Sequence, residues 1–493
     1  MMNPLMAIDF YKADHRRQYP EGTEYVYSNF TPRSARLANV LEGFDERVVF
    51  LGLQAYIKRI LIEQWQREFF DKPKEDVLKK YKRRMDTSLG EDAISTEHIE
   101  ALHDLGYLPI KIKALEEGSR VNIKVPVFTV VNTLPEFFWL TNYLETSISA
   151  EVWKPCTTAT IAYEYKRLLK KFADDTGAPL DFLPIQAHDF SFRGMSGAED
   201  AALAGLGHLA SFMGTDTVAA IDYAEDYYKA SELVGVSVPA TEHSVMCMGT
   251  KESEIDTFKR LINDLYPHGI VSIVSDTWDF WQVINEFARE LKDDILNRKR
   301  DALGFSKVVF RPDSGDPVKV ICGDPDAKPG SPENKGAVEC LWDIFGGSVT
   351  EKGYKLLSDR VGIIYGDSIT LQRAEAILAQ LKEKGFASTN VVFGVGSYTY
   401  QHVTRDTFGF AMKATWGQVK GEGRDIFKDP VTDKGEKKSA IGLLRVEQTD
   451  NGFQLFDKQT PEQEQQGIFQ TVFQDGKLLK ETTFEEIRKR LEY

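Results

Sequence analysis

The sequence predicts an α/β protein: a closed or nearly closed (β/α) barrel beside a second, discontinuous, mainly β (α+β) domain. Three observations predict it. Between residues 181 and 399, short apolar runs, several rich in β-branched residues, alternate with helical patterns. Each run ends in a polar or glycine-bearing tip. The rhythm is absent from residues 1–180 and 400–493, which hold mixed strand and helix signals. Repeated β-α units imply a parallel sheet. A doubly wound open sheet is the alternative, and in either architecture ligands bind at the C-terminal ends of the strands.

The elements follow in chain order. Glu24–Phe30 (EYVYSNF) reads as a strand and Leu51–Phe69 as an amphipathic helix. Pro109–Val131 holds two strand-like runs around a Glu117–Gly118 turn, and Pro135–Ile148 and Thr157–Phe172 read as two helices. The barrel tips then fall at His188–Asp189, Asp216, Glu242–His243, Asp276, Arg311–Asp313, Gly366–Asp367 and Gly394–Gly396. Helical patterns follow several of them, at Ser253–Leu265, Thr277–Asn297 and Leu371–Lys384. The longest interval, from Asp313 to Asp367, contains Gly323–Lys335, a Gly/Pro/Asp-rich surface insertion. Beyond Gly396, Phe408–Trp416 and Gly442–Glu447 read as strands, Asp425–Val431 as a loop and Phe484–Leu491 as a helix. This tail is expected to rejoin residues 1–180 in the discontinuous domain, which leaves residues 181–399 as the barrel.

Composition excludes several function classes. A net charge of −14 and a pI near 5.3 are wrong for a nucleic-acid binder, which needs a basic surface to displace counterions. Any phosphate must instead be held in a local cationic pocket. Cys156, Cys247, Cys322 and Cys340 form no C-x-x-C pair, so neither a zinc site nor a disulfide framework is signalled, and reduced thiols in the cytoplasm are expected. Met1–Tyr11 lacks a signal-peptide pattern, and Val48–Ile62 is interrupted by Gln54, Lys58 and Arg59, so no membrane span is expected.

Chemistry concentrates at the tips. One strand-tip carboxylate is often only a helix N-cap. Six tips that present ionisable groups, with a seventh that supplies glycines, are better explained by one shared site. In Arg311-Pro312-Asp313-Ser314-Gly315, arginine suits bidentate contact with phosphate, and Asp313 suits ribose hydroxyls or a magnesium ion. Gly366-Asp367-Ser368 and Gly394-Val395-Gly396-Ser397 are glycine turns able to present N–H groups to a phosphate. His243 changes charge near neutrality and suits a nucleophile or proton carrier, with Asp276 one unit onward to orient it. Phe190 with Arg193 suits stacking on a flat heterocycle that carries a polar substituent.

These motifs resemble those of the nicotinamide phosphoribosyltransferases. The resemblance rests on AIDFYKADHRRQYP (Ala7–Pro20), HDFSFRG, GTDTV, SVPATEHS, VSIVSD, RPDSG, YGDS, TRD and FKDPV, and runs to Phe484–Arg488. It implies a type II phosphoribosyltransferase fold, a homodimer with shared active sites, phosphoribosyl pyrophosphate, magnesium, and ATP as cosubstrate. Tyr11 of one subunit and Phe190 of the other would sandwich the pyridine ring, with Asp9 beside Tyr11. Arg193 would bond the carboxamide oxygen, and Asp216 its NH₂, with Ser272 nearby. Arg311 and Asp313 would handle the phosphoribosyl and diphosphate groups. Gly366, Asp367, Gly396 and Ser397 would bind ribose and 5′-phosphate, and Arg405, Lys413 and Lys428 would be phosphate cations. His243 would be phosphorylated by ATP, with Asp276 as its carboxylate partner. Relative to animal members, FGVGSYTYQ replaces a glycine triplet, and Ala411 replaces a serine. A nicotinate phosphoribosyltransferase is the nearest alternative and a non-catalytic binding or signalling protein a more distant one.

Overall fold

A continuous buried run fixes the first strand of the first sheet. In β1 (Thr23–Thr31), Val26, Tyr27 and Phe30 are buried, and the Phe30 ring stacks on Phe128 at 5.0 Å and on Phe410 at 5.3 Å. β1 pairs antiparallel with β3 (Phe128–Asn132), and β3 with β2 (Ile110–Ala114). The computed structural model describes residues 3–366, 368–428 and 440–492.

The helix α1 (Glu145–Thr176) joins the two halves of the molecule. The sequence predicts a break between Ile148 and Thr157, where Pro155 removes a helix donor. The helix instead runs straight through. Burial on both sides overrides the local cost: Ile148, Val152 and Cys156 pack into the sheet core, while Ile161, Tyr165, Leu168 and Leu169 pack into the barrel core. Gly52 makes room for the proline ring, since a Cβ there would lie 2.3 Å from Pro155 Cγ.

The barrel strands are β4 (Ala187–Asp189), β5 (Gly214–Thr215), β6 (Gly269–Val274), β7 (Ser306–Arg311), β8 (Val361–Tyr365) and β9 (Val391–Val395), all parallel, in the order β5-β4-β9-β8-β7-β6. The expected seventh strand, at Val236–Ala240, is not a regular strand. Pro239 lacks the N–H that a ladder needs. The segment nevertheless bridges both edges, Val236 to Gly214 and Ala240 to Ser272. Its backbone bonds (Val236 N to Met213 O, 2.7 Å; Ser272 N to Pro239 O, 2.9 Å) close the ring and exclude an open doubly wound sheet. The helices expected after β6 and β8 are present, at Phe280–Asn297 in short pieces and at Leu371–Glu383. The Gly323–Lys335 insertion is a loop that closes on a short helix, Pro332–Lys335, through the Asn334 amide donating to Asp324 O at 3.0 Å.

The chain end returns to the first sheet. β10 (Ala411–Val419), β11 (Glu422–Asp425), β12 (Gln470–Gln474) and β13 (Lys477–Leu478) complete seven strands in the order β11-β10-β1-β3-β2-β12-β13. The sheet therefore draws on both ends of the sequence. The terminal helix Phe484–Arg490 buries Phe484 and Ile487 against helices that flank the barrel.

Candidate active site

Three adjacent strand ends build one side of the barrel mouth. Phe190 follows β4, and its N–H donates to Val395 O of β9 at 2.9 Å. Gly394 permits this, because a Cβ there would lie 2.8 Å from the Phe190 ring. Asp216 follows β5. Its Oδ1 accepts from His188 Nε2 at 2.9 Å and from Ser237 Oγ at 2.6 Å. Burial opposes ionisation, but the His188 and Ser237 bonds and the charges of His188 and Arg311 hold its carboxyl below the usual range. Arg193 is exposed in the turn Phe192–Gly194. That turn abuts the β9 tip: a Cβ at Gly194 would lie 2.1 Å from Ser397 Oγ. Ser272, on β6, is buried, and its hydroxyl has no hydrogen-bond partner among the described residues.

The next strand ends gather an imidazole between two carboxylates. His243 Nε2 lies 3.8 Å from Asp276 Oδ1 and 3.8 Å from Asp313 Oδ2. The expected His243–Asp276 pair is thus too long for a hydrogen bond. The bonded partner is Thr277, whose Oγ1 is 3.1 Å from Nδ1. Asp276 is otherwise engaged: its Oδ2 accepts from Asp313 N at 2.8 Å and Ser314 Oγ at 2.6 Å, which pins the R-P-D-S-G turn. Arg311 donates from its guanidinium to Thr241 O, which ties β7 to the closing segment.

The glycine turns complete the rim. Gly366 follows β8 beside Asp313, where a Cβ would lie 2.0 Å from Asp313 Oδ1. Gly396 opens the short helix Ser397–Tyr400 after β9, and the backbone N of Ser368 lies 3.9 Å from where its Cβ would be. Asp367 and Asp429–Val431 of the FKDPV motif lie outside the described residues.

A second polar cluster sits on the sheet domain. Asp9 accepts from Thr146 Oγ1 at 2.8 Å, and Tyr11, 58% exposed, packs its ring on His15 at 4.9 Å. Lys12 pairs with Glu145. Partial desolvation, against the attraction of Glu145 and with repulsion from Arg33, Lys12 and Arg405, holds the Lys413 ammonium below its ordinary pKa. Lys413 thus lies within electrostatic reach of three other cations, Arg33, Lys12 and Arg405, a local excess of positive charge on an acidic chain. Lys428 is exposed after β11. Among the described residues, no hydrogen bond or ring contact joins Asp9 or Tyr11 to Phe190, Arg193 or Asp216.

His188, Ser237 and Thr241 stand within the sequence motifs and Thr277 directly after one, but the sequence marks no role for any of them. The Asp216 partnership needs β4, β5 and the closing segment side by side, a contact that linear spacing does not encode. For a metal, no group of three or more His, Cys, Asp or Glu side chains is placed to hold an ion alone among the described residues. Asp313 and the unbonded Oδ1 of Asp276 fit magnesium only as part of a shell that substrate oxygens complete.

Comparison with known proteins identifies the family of the chain. Residues 185–477 match the nicotinate phosphoribosyltransferase (NAPRTase) family, and residues 3–112 match the nicotinamide phosphoribosyltransferase N-terminal domain. The chain is 69% identical over 490 residues to a nicotinamide phosphoribosyltransferase of Acinetobacter baylyi, covering 99% of this chain and 97% of that protein. It is 35% identical to the protein of the same name from Mycoplasma pneumoniae, over 89% and 94% of the two chains. Two crystal structures share the fold. They are a nicotinate-nucleotide pyrophosphorylase from Pyrococcus furiosus (13% identity, TM-score 0.56, covering 99% and 95%) and human nicotinic acid phosphoribosyltransferase (14%, 0.54, covering 98% and 92%). With its barrel of six parallel strands closed by a bridging segment, its seven-stranded sheet and these matches, the chain belongs to the nicotinate phosphoribosyltransferase family, among the nicotinamide phosphoribosyltransferases.

Proposed function

We propose that this chain transfers the phosphoribosyl group of phosphoribosyl pyrophosphate to the ring nitrogen of nicotinamide, releasing diphosphate, as a step of NAD salvage. The observation that carries this reading is Asp216: an ionised carboxylate at the rim, beside Phe190, with Oδ1 saturated by two donors. Its second oxygen accepts from an amide NH₂ and repels a nicotinate carboxylate, which disfavours the nicotinate alternative by a few kcal/mol in a desolvated pocket.

The remaining residues divide the work. Phe190 stacks on the ring, Arg193 bonds the carboxamide oxygen, and Ser272, whose hydroxyl has no partner among the described residues, is a further candidate donor to the base. The ring nitrogen already carries a lone pair, so proximity rather than a base drives the attack on ribose C1. Arg311 and Asp313 grip the phosphoribosyl and diphosphate groups, while Gly366, Asp367, Gly396 and Ser397 cradle the ribose and 5′-phosphate. Asp313 would help to hold a magnesium ion that arrives with the diphosphate, and that ion would supply positive charge to the leaving group.

ATP phosphorylates His243, whose ring bonds Thr277 and lies 3.8 Å from each of two carboxylates. A heat-stable, acid-labile phosphate is expected from labelled ATP, absent in His243→Ala. The family resemblance supports a homodimer in which each subunit completes its partner's site, with Asp9 and Tyr11 reaching the Phe190 of the other subunit. Arg405, Lys413 and Lys428 supply phosphate-binding cations at that junction. We read residues 1–180 with 400–493 as the dimerising domain and 181–399 as the catalytic barrel. Four unpaired cysteines support a cytoplasmic setting. No helix among the described residues is long and apolar enough to cross a membrane, and the net charge of −14 opposes nucleic acid as a partner.

Base selection tests the reading. Compare kcat/KM for nicotinamide and nicotinate in the wild type and in Asp216→Asn. The wild type is expected to prefer nicotinamide by about 100-fold or more, and the variant to lose most of that preference. Equal use of both bases by the wild type would contradict it.

A further inference from the structure

Both hydrogen bonds to Asp216 land on one oxygen. His188 Nε2 approaches Oδ1 at 2.9 Å and Ser237 Oγ approaches it at 2.6 Å. The same histidine touches the aromatic wall, with its ring centroid 4.6 Å from that of Phe190 at 40°. The backbone is cut to fit it: a Cβ at Gly214 would lie 2.9 Å from His188 Nδ1. His188 thus contacts both residues assigned to the base, and it sits at the end of β4, whose pairing with β5 fixes the distance to Asp216.

We infer that His188 is the positioning residue that sets base selectivity, acting through Asp216 and Phe190 rather than on the substrate. This rests on the nicotinamide reading above. Donation from Nε2 to a carboxylate places the ring proton on that nitrogen. The bond has two consequences. It restrains rotation of the carboxylate, so that Oδ2 remains the acceptor presented to the carboxamide. It also favours the ionised form, which repels nicotinate. Without His188, Asp216 retains only the Ser237 hydroxyl. The carboxyl then rotates and takes up a proton more readily, and a protonated carboxyl donates to a nicotinate carboxylate instead of repelling it.

The test measures kcat and KM for nicotinamide, nicotinate and phosphoribosyl pyrophosphate in wild type, His188→Ala and His188→Gln. In the alanine variant, nicotinamide KM is expected to rise about tenfold or more, the scale of one charge-assisted hydrogen bond. kcat and the phosphoribosyl pyrophosphate KM are expected to change by no more than about twofold. Preference for nicotinamide over nicotinate is expected to shrink about tenfold. Glutamine, whose amide N–H reaches the position of Nε2, is expected to restore most of it. An unchanged preference, an equal rise in both KM values, or a glutamine variant no better than alanine would overturn the role. If circular dichroism shows the alanine variant unfolded, His188→Asn takes its place, since its amide is too short to reach Asp216, and the same outcomes decide. Failure of the wild type to turn over nicotinamide would overturn both readings; turnover with a preference indifferent to His188 would overturn this one alone.

Discussion

His208 shows how a residue away from the reacting groups supports the rim. It is fully buried, its Nε2 donates to Gly214 O at 2.9 Å, and its Nδ1 accepts from Tyr400 OH at 2.7 Å. It therefore clamps the strand before Asp216 to the turn that carries Ser397. Burial, against the attraction of Asp189 and the bond to Gly214, pushes its pKa from 6.5 down to about 4. Between those values the unfolded chain binds a proton that the fold excludes. This contribution is complete above pH 6.5 and is lost as pH falls toward 4, by about 3 kcal/mol. His98, pushed down to about 3, acts in the same direction. Denaturant midpoints at pH 7 and pH 4.5 are expected to show a smaller pH loss for His208→Gln than for wild type; equal losses would contradict the assignment. At Gly366 the constraint is steric rather than electrostatic. Alanine there meets Asp313 Oδ1 at 2.0 Å, so Gly366→Ala is expected to lower kcat/KM for phosphoribosyl pyrophosphate by about tenfold or more while the fold survives. Unchanged kinetics would show that the Asp313 position is not critical. Neither effect was legible in the sequence: Gly366 reads there as a phosphate-binding turn with no tie to Asp313, and nothing marks His208, because both effects come from neighbours distant along the chain.

Elements were more legible than their junctions. Strands from Ser306–Arg311 to Val391–Val395 carry dense apolar runs because both faces are covered, and the sequence displays them plainly. The closing segment at Pro239 and the helix through Pro155 depart from the elements the sequence predicts. At Pro155 tertiary packing outweighs the proline's preference, whereas at Pro239 the proline prevails and the segment closes the ring through isolated bridges. A further junction ties β2 to the helix Pro461–Glu464. Lys113 Nζ donates to Glu464 Oε1 at 2.8 Å and Oε2 at 2.9 Å, with the two side chains only 9% and 6% exposed. Lys113→Met leaves a buried carboxylate uncompensated and is expected to cost about 3–5 kcal/mol in equilibrium unfolding; adding Glu464→Leu is expected to recover most of it. A single variant as stable as wild type would mean that the pair contributes no such constraint.

At the scale of the molecule, the parallel β-α rhythm announced the barrel, and the family motifs announced which residues meet there. The rim brings Phe190, Asp216, His243, Asp276, Arg311, Asp313, Gly366 and Gly396 around one barrel mouth, and it leaves Asp9, Tyr11, Arg405 and Lys413 on the sheet domain. The proposed two-chain site follows from the family motifs alone, because periodicity describes one chain's elements and not the surface of its partner. Complementation tests the shared site. Tyr11→Ala and Phe190→Ala homodimers are each expected to be nearly inactive. Subunits remixed in equal amounts are expected to regain about a quarter of wild-type activity, since random pairing makes half the dimers mixed and each mixed dimer has one intact site. No recovery, with mixed dimers verified, would place both residues in one chain's site. The most direct measurement is the mass of the product formed by purified wild-type protein from nicotinamide, phosphoribosyl pyrophosphate and magnesium, with and without ATP. The account predicts nicotinamide mononucleotide and diphosphate in equal amounts, abolished in Arg311→Ala; no nucleotide, or product only when nicotinate replaces nicotinamide, would contradict it.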